Sequence, residues 1–350
     1  MALLTFSLAA TYWLSSAELL HERILGPEVP GKYKHPAAIE ELKGGDLFLV
    51  WHGGAGEYEE DTRVEASRLP AGSTRWEKPF VVADTPFHGD GNAVIWQAPD
   101  DAVWLFYVVR YGETWASSRI CAKVSRDGAR TWSDSFVLAM ESGMMVRNRP
   151  VVLSSGDWLV PIYHEVGTDK EDVSADCTSL FLRYEPKAKR WSESPRIRSR
   201  LGCIQPGVAE VARDHLVAYM RRGGDYNGRP DGWMVRSESR DGGKTWSRGD
   251  DSRFPNPNAA IDFLRLKDGS LLLVYNDSFS DRTPLAAALS VDGDKSYPHK
   301  RNIAEGKDDF AYPFVIQARD GKVHVVYTAN ERTEIHRAVF DPAWVREGGK

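Results

Sequence analysis

Six polar residues stand at the mouths of six apolar runs: His35, Asn92, Arg149, Gln205, Asn258 and Tyr312. Each is followed by Pro or Ala, and they recur roughly every 55 residues. One polar residue at such a place means little. A ring of six predicts a shared polar pocket, with Asn92 and Asn258 among its ligand-binding groups. Arginines crowd the same segments. Arg147, Arg149, Arg221 and Arg282 could each grip a carboxylate through two parallel N–H bonds, or pair with acidic neighbours across the pocket. Glu57 and Asp61, in GGAGEYEEDTRV, could donate or accept a proton, although EYEED also reads as a solvated acidic turn. His35 and His88 carry the side chain best suited to act as a base near neutral pH, or simply to bond a neighbouring loop. Cations, carboxyls and a phenol side by side are what acid–base chemistry on a charged sugar would need.

The elements that must position these residues are repeated hairpins. Residues 125–132 read SRDGARTW and residues 239–246 read SRDGGKTW; 290–297, SVDGDKSY, is a worn copy. Two more worn copies end in Trp76 and Trp191. In each good copy an aspartate, Asp127 or Asp241, can accept bonds from the backbone of its own turn. Gly242 and Gly243 permit the positive φ of a tight hairpin, and the tryptophan packs back on the strands. Such Asp-box turns hold hairpins together and do no chemistry themselves. Between them lie six pairs of apolar strands, among them HPAAIEEL with DLFLVWHG and YPFVIQA with KVHVVYT, bounded by Gly, Asp and Asn. The expectation is an all-β, six-bladed β-propeller occupying residues 1–350 as one domain. Its blades fall roughly at 33–80, 88–136, 147–195, 204–250, 256–301 and 310–340. The sixth shows only three strands, so an N-terminal strand such as LLTFSLA is expected to close the ring.

Bulk properties agree with a globular protein and exclude some partners. A hydrophobic share of 42% and a charged share of 27% are not those of a disordered chain. A net charge of −5 gives no basic footprint for nucleic acid. Three cysteines at irregular spacing make neither a disulfide framework nor a zinc pattern. The nine histidines are scattered, so no metal and no cofactor is expected. No apolar run reaches the length of a membrane-spanning helix. The apolar N-terminus has no Lys or Arg ahead of it, which favours a retained segment and a cytoplasmic protein over a secreted one. Oligomeric state is left open.

The chain resembles the sialidase (neuraminidase) superfamily, in its branch of BNR, Asp-box repeat proteins, over nearly its whole length. Arg282 opens RTPLAAALS, a worn Asp box follows, and Tyr312 stands in FAYPFVIQ. That order matches the family's arginine, Asp box and nucleophilic tyrosine. The resemblance implies that Arg221 and Arg282 bind a substrate carboxylate, that Tyr312 is the nucleophile, and that Glu57 or Asp61 is the acid/base. Two departures stand out. Where the family opens with an arginine in Phe/Tyr-Arg-Ile-Pro, this chain has Tyr33-Lys34-His35-Pro36. Gln205 occupies the place of the glutamate that takes the tyrosine's proton, and an amide is no base.

Three functions follow as expectations. The first is a sialidase-like glycoside hydrolase acting on an acidic sugar: sialic acid, a related keto-acid sugar or a uronate. The second is a polysaccharide lyase in which arginines neutralise a uronate carboxylate, His35 or His88 is the base and Tyr312 the acid. The third is a propeller that binds glycans without turning them over.

Overall fold

The computed structural model describes residues 18–170 and 172–348. It is all-β apart from a single 3-10 turn, Trp115–Ser117, and a terminal helix, Pro342–Glu347. The strands form six antiparallel sheets, one per blade, following one another along the chain. Blades one, two, four and five are plain four-stranded meanders that run outwards from the inner strands Tyr33–Glu41, Gly89–Gln97, Cys203–Ala212 and Asp262–Arg265. In blade three the inner strand is broken into Met144–Val146 and Val151–Val152, both paired with Trp158–His164. Blade six takes three strands from the C-terminal part, starting with Ala311–Gln317. Its fourth comes from the N-terminal side, Leu19–Leu25, which pairs with Glu334–Phe340. This pairing closes the ring and covers the last open edge. The closing strand is therefore LLHERIL; the LLTFSLA segment expected in that role lies outside the described residues.

The repeated turns do what their residues allow. Asp241 accepts bonds from the N–H groups of Lys244 and Thr245 at 3.0 and 2.9 Å and from the Thr245 hydroxyl at 2.6 Å. Asp127 and Asp292 make the same set. Trp246 then stacks on Phe181 of the preceding blade, with ring centroids 4.4 Å apart.

The inner strands share a second device. Their pairing with the next strand slips between Lys34 and Ala37, Gly91 and Val94, Ile204 and Gly207, and Ala311 and Phe314. These bulges hold His35, Asn92, Gln205 and Tyr312. Asn92, Gln205, Asn258 and Tyr312 all sit at positive φ, between 46° and 57°. A non-glycine residue held there costs on the order of 1 kcal/mol or more, and a bulge re-aims the side chain it carries. At His35, Asn92, Gln205 and Tyr312 the X-Pro and X-Ala steps seen in the sequence are thus points where an inner strand turns a polar side chain into one shared pocket; Arg149-Pro150 of blade three is not among them.

Candidate active site

Tyr312 is the centre of the arrangement. Its hydroxyl oxygen accepts a bond from Arg221 Nη1 at 2.7 Å and one from Gln205 Nε2 at 3.4 Å. The guanidinium of Arg282 lies 5.6 Å from its ring centroid, and the His35 ring stands edge-on at 4.2 Å. Burial pushes the phenol up, but Arg221 and Arg282 outweigh it and hold it below its ordinary 10.0. Every group that reaches this oxygen donates to it. Gln205 cannot take the proton as a carboxylate would, yet its amide N–H can stabilise the oxygen once the proton has gone.

Arg221, the next-to-last residue of the strand His215–Arg222, is held on every side. Its Nε donates to Asn258 Oδ1 at 2.6 Å, Nη1 to Gln205 Oε1 at 3.4 Å, and Nη2 to the Tyr226 hydroxyl at 3.0 Å. Asn258 in turn donates to the carbonyls of Gly224 and Asp225, so it orients Arg221 and is itself fully buried. Arg282 is freer. Among the described residues its only side-chain bond is to the Asn258 carbonyl at 3.5 Å. Its guanidinium lies over Tyr226 and faces a cleft lined also by Asp309 and Arg332. Tyr226 is the wall between this cleft and the axial pocket.

Arg332 was not anticipated from the sequence. It closes a run of three residues at positive φ, Asn330 (51°), Glu331 (53°) and Arg332 (66°), in the turn after Val323–Ala329. That turn throws its guanidinium across the blade junction onto Glu57 and toward the Tyr33 hydroxyl at 3.5 Å. Lys34, at the place of the family's arginine, instead turns its ammonium to the Gly31 carbonyl and lies outside the pocket lining. The only signal in the sequence was the neighbouring pair Asn330 and Glu331 at a strand exit.

The axial pocket is lined by Tyr33, His35, His52, Glu57, Asn92, Trp115, Tyr163, Glu165, Gln205, Arg221 and Tyr312. Glu57 is committed: one oxygen meets Arg332 and the other accepts from Trp115 Nε1 at 3.3 Å. Asn92 donates to the Tyr163 hydroxyl at 2.9 Å. His35 bonds Thr328 Oγ1 through Nδ1 at 2.7 Å, and burial beside Arg332, Arg282 and Arg147 keeps it neutral. His52 and Tyr163 are further lining residues the sequence reading passed over, and Glu165 was given no role of its own. His52 is 1% exposed, no hydrogen-bond partner among the described residues reaches either ring nitrogen, and burial pushes it down to about 4. The Glu165 carboxyl is pushed up to about 7 by burial, against the pull of Arg221 and with the push of Glu57.

Four of the expected site residues lie elsewhere. Arg147 is fully buried and donates to the backbone carbonyls of Tyr312 and Pro313 at 2.7 and 3.2 Å, so it braces the Tyr312 bulge from behind. Arg149 pairs with Glu40 at 3.3 Å and lines a different cavity with Asp262 and Lys267. Its strand is broken at this point, and it follows Arg147 by two residues yet serves another cavity. Asp61 accepts from the Ala55 N–H at 3.1 Å and faces a separate cleft with Arg110. His88 lies in that same cleft, its ring 4.6 Å from Tyr111. Among the described residues, no three His, Cys, Asp or Glu side chains converge as metal ligands would.

A family model described as a BNR repeat-like domain matches residues 45–325. No curated protein matches the chain in sequence. Among solved structures, the NanB sialidase of Streptococcus pneumoniae superposes with a TM-score of 0.75 at 9% identity, covering 93% of this chain and 71% of its own. The intramolecular trans-sialidase of Ruminococcus gnavus gives 0.72 at 12% identity, covering 92% of this chain and 97% of its own. The Hadza microbial sialidase Hz136 gives 0.73 at 16% identity, covering 89% of this chain and only 66% of its own. At these identities the likeness is one of fold.

Proposed function

We propose that this chain, which belongs to the BNR repeat-like, sialidase-like family, is a glycoside hydrolase that cleaves a bond beside a carboxylate-bearing sugar. The observation that carries this reading is the environment of the Tyr312 oxygen. It receives hydrogen bonds from Arg221 and Gln205, meets no hydrogen-bond acceptor among the described residues, and has Arg282 alongside. Such an oxygen is favoured as phenolate and can attack an anomeric carbon without a neighbouring base. The missing glutamate is thereby answered by cations.

The carboxylate of the sugar would be held by the arginines around Tyr226. Arg282 and Arg332 border the cleft, and Arg221, in the axial pocket, bonds the Tyr226 hydroxyl from the other side of the wall. Arg332 supplies the third cation that Lys34 does not. Attack by Tyr312 would give a sugar–tyrosine intermediate, and water would release it, so the product keeps its anomeric configuration. Asn92 and the unpartnered His52 are positioned to bond the remaining polar groups of the ring.

The test is product analysis after incubation with aryl glycosides of sialic acid and uronates, and with uronate-containing polysaccharides. The expected result is a saturated acidic sugar released with retained configuration. Unsaturated, ultraviolet-absorbing products would instead establish a lyase. Binding without turnover would leave a lectin-like propeller and overturn the enzymatic reading.

A further inference from the structure

We propose that Glu165 is the proton donor to the departing glycosidic oxygen, and that Glu57 is the fixed partner that orients Arg332. This rests on the glycosidase reading above. A carboxyl in this pocket must protonate the leaving group, and the two carboxyls that sequence and family point to are poorly suited. Asp61 faces another cleft. Glu57 has both oxygens engaged, one by Arg332 and the other by Trp115, so neither is free to face a leaving group.

Glu165 differs on each count. It lines the axial pocket with Tyr312, Arg221, Gln205 and Tyr163. Among the described residues its carboxyl makes no hydrogen bond and no ion pair. Its backbone, by contrast, is clamped. The Glu165 N–H donates to the Gly143 carbonyl at 2.8 Å. Gly143 sits at φ +85°, and a Cβ there would fall 2.0 Å from the Glu165 carbonyl oxygen. The side chain is therefore launched from a fixed point into the pocket with its acid group open.

The charged and titratable groups around it set its state. From the strand His215–Arg222, Arg221 draws its proton off; from the loop after Leu47–Gly54, Glu57 keeps it on. Tyr163, near the end of the strand Trp158–His164 that Glu165 follows, and Cys177, just ahead of the strand Thr178–Glu185, also sense it. Lys170, Tyr226 and Tyr312 complete the lining. Burial dominates, so the acid form survives to about neutral pH, which is where a general acid is most effective.

The step balances as follows. The Tyr312 phenolate oxygen forms a bond to the anomeric carbon as the bond from that carbon to the glycosidic oxygen breaks. The electron pair goes to that oxygen, which takes the Glu165 proton and leaves as an alcohol. Glu165, now a carboxylate, removes a proton from water. The water oxygen bonds to the anomeric carbon and Tyr312 departs as phenolate.

The test compares two glycosides of one acidic sugar, an aryl glycoside that leaves readily and an alkyl glycoside that needs protonation. For Glu165→Gln, kcat/KM on the alkyl glycoside should fall about 10²–10³-fold, and on the aryl glycoside by only about tenfold. Glu165→Asp should show the same bias more weakly, which keeps the test open if the amide variant fails to fold. Glu57→Gln should lower both rates alike, mainly through KM. Equal losses on both glycosides for Glu165→Gln, or the leaving-group bias appearing in Glu57→Gln instead, overturn the assignment. A wild type inactive on every acidic glycoside would overturn the glycosidase reading itself, a different result.

Discussion

Replacing Arg282 by Met should move the ionisation of Tyr312 upward. The guanidinium lies 5.6 Å from the phenol ring centroid, and both groups are buried. Two unit charges on the order of that distance apart, with an effective dielectric of about 20, interact by about 3 kcal/mol, so the loss of this cation is large enough to read. Arg282 is the right residue to change. It makes one long hydrogen bond, to the Asn258 carbonyl, so Met removes its charge while keeping most of its packing. Removing Arg221 would instead break four bonds and confuse electrostatics with structure. The assay is an alkaline titration of tyrosinate absorbance in wild type, Arg282→Met and Tyr312→Phe. Wild type should show one tyrosine ionising below the ordinary 10.0, and Tyr312→Phe should lack it. A depressed acid favours the folded state once ionised. Wild type should therefore gain stability as pH rises from the folded value toward 10, and Arg282→Met should gain less. A shift under about 0.5 unit in Arg282→Met, or a low-titrating tyrosine that persists in Tyr312→Phe, would refute the reasoning.

Two further outcomes follow from buried groups. His52 is held down to about 4, so as pH falls from 6.5 toward 4 the unfolded chain takes up a proton that the folded one refuses. Wild type should lose up to about 3 kcal/mol from this group over that window, and His52→Phe should lose measurably less by chemical denaturation at the two ends. Arg149→Ala should leave kcat/KM on an acidic glycoside within about twofold of wild type, because its partner is Glu40 and its cavity is not the axial pocket. Glu40, already pushed up to about 7, would simply hold its proton more tightly.

The propeller was legible because its signals are local. An Asx turn, a glycine at positive φ and a closing tryptophan lie within eight residues, as in Ser239–Trp246. The ring was legible for a related reason. The bulges that carry Asn92, Gln205 and Tyr312 are written as a polar residue before Pro or Ala, and positive φ accompanies all three. Direction was not legible. Arg147 and Arg149 read alike in VRNRPVVL, but the inner strand of blade three is interrupted there, and one braces a bulge while the other serves a separate cavity. Asp61 was lost to the pocket because its loop folds back to bond Ala55. Arg332 was missed, and Glu165 was given no role, because each acts across a blade junction. Arg332 meets Glu57 of the first blade, 275 residues away, and Glu165 meets groups from blades one and four. Such pairings depend on ring closure, which no local window contains. The closing strand LLHERIL was not singled out because it carries three charged or titratable residues, His21, Glu22 and Arg23, and reads poorly as an apolar strand.

The central claim is that Tyr312 is the nucleophile on an acidic sugar. It is tested most directly by trapping, with a fluorinated acidic-sugar glycosyl fluoride whose electron-poor ring slows release of the intermediate. After incubation, digestion and peptide mass spectrometry, one sugar per chain should be found on Tyr312 and none on the Tyr312→Phe variant. A label on Glu57 or Glu165, or turnover of the same reagent with inverted configuration and no label, would contradict the account.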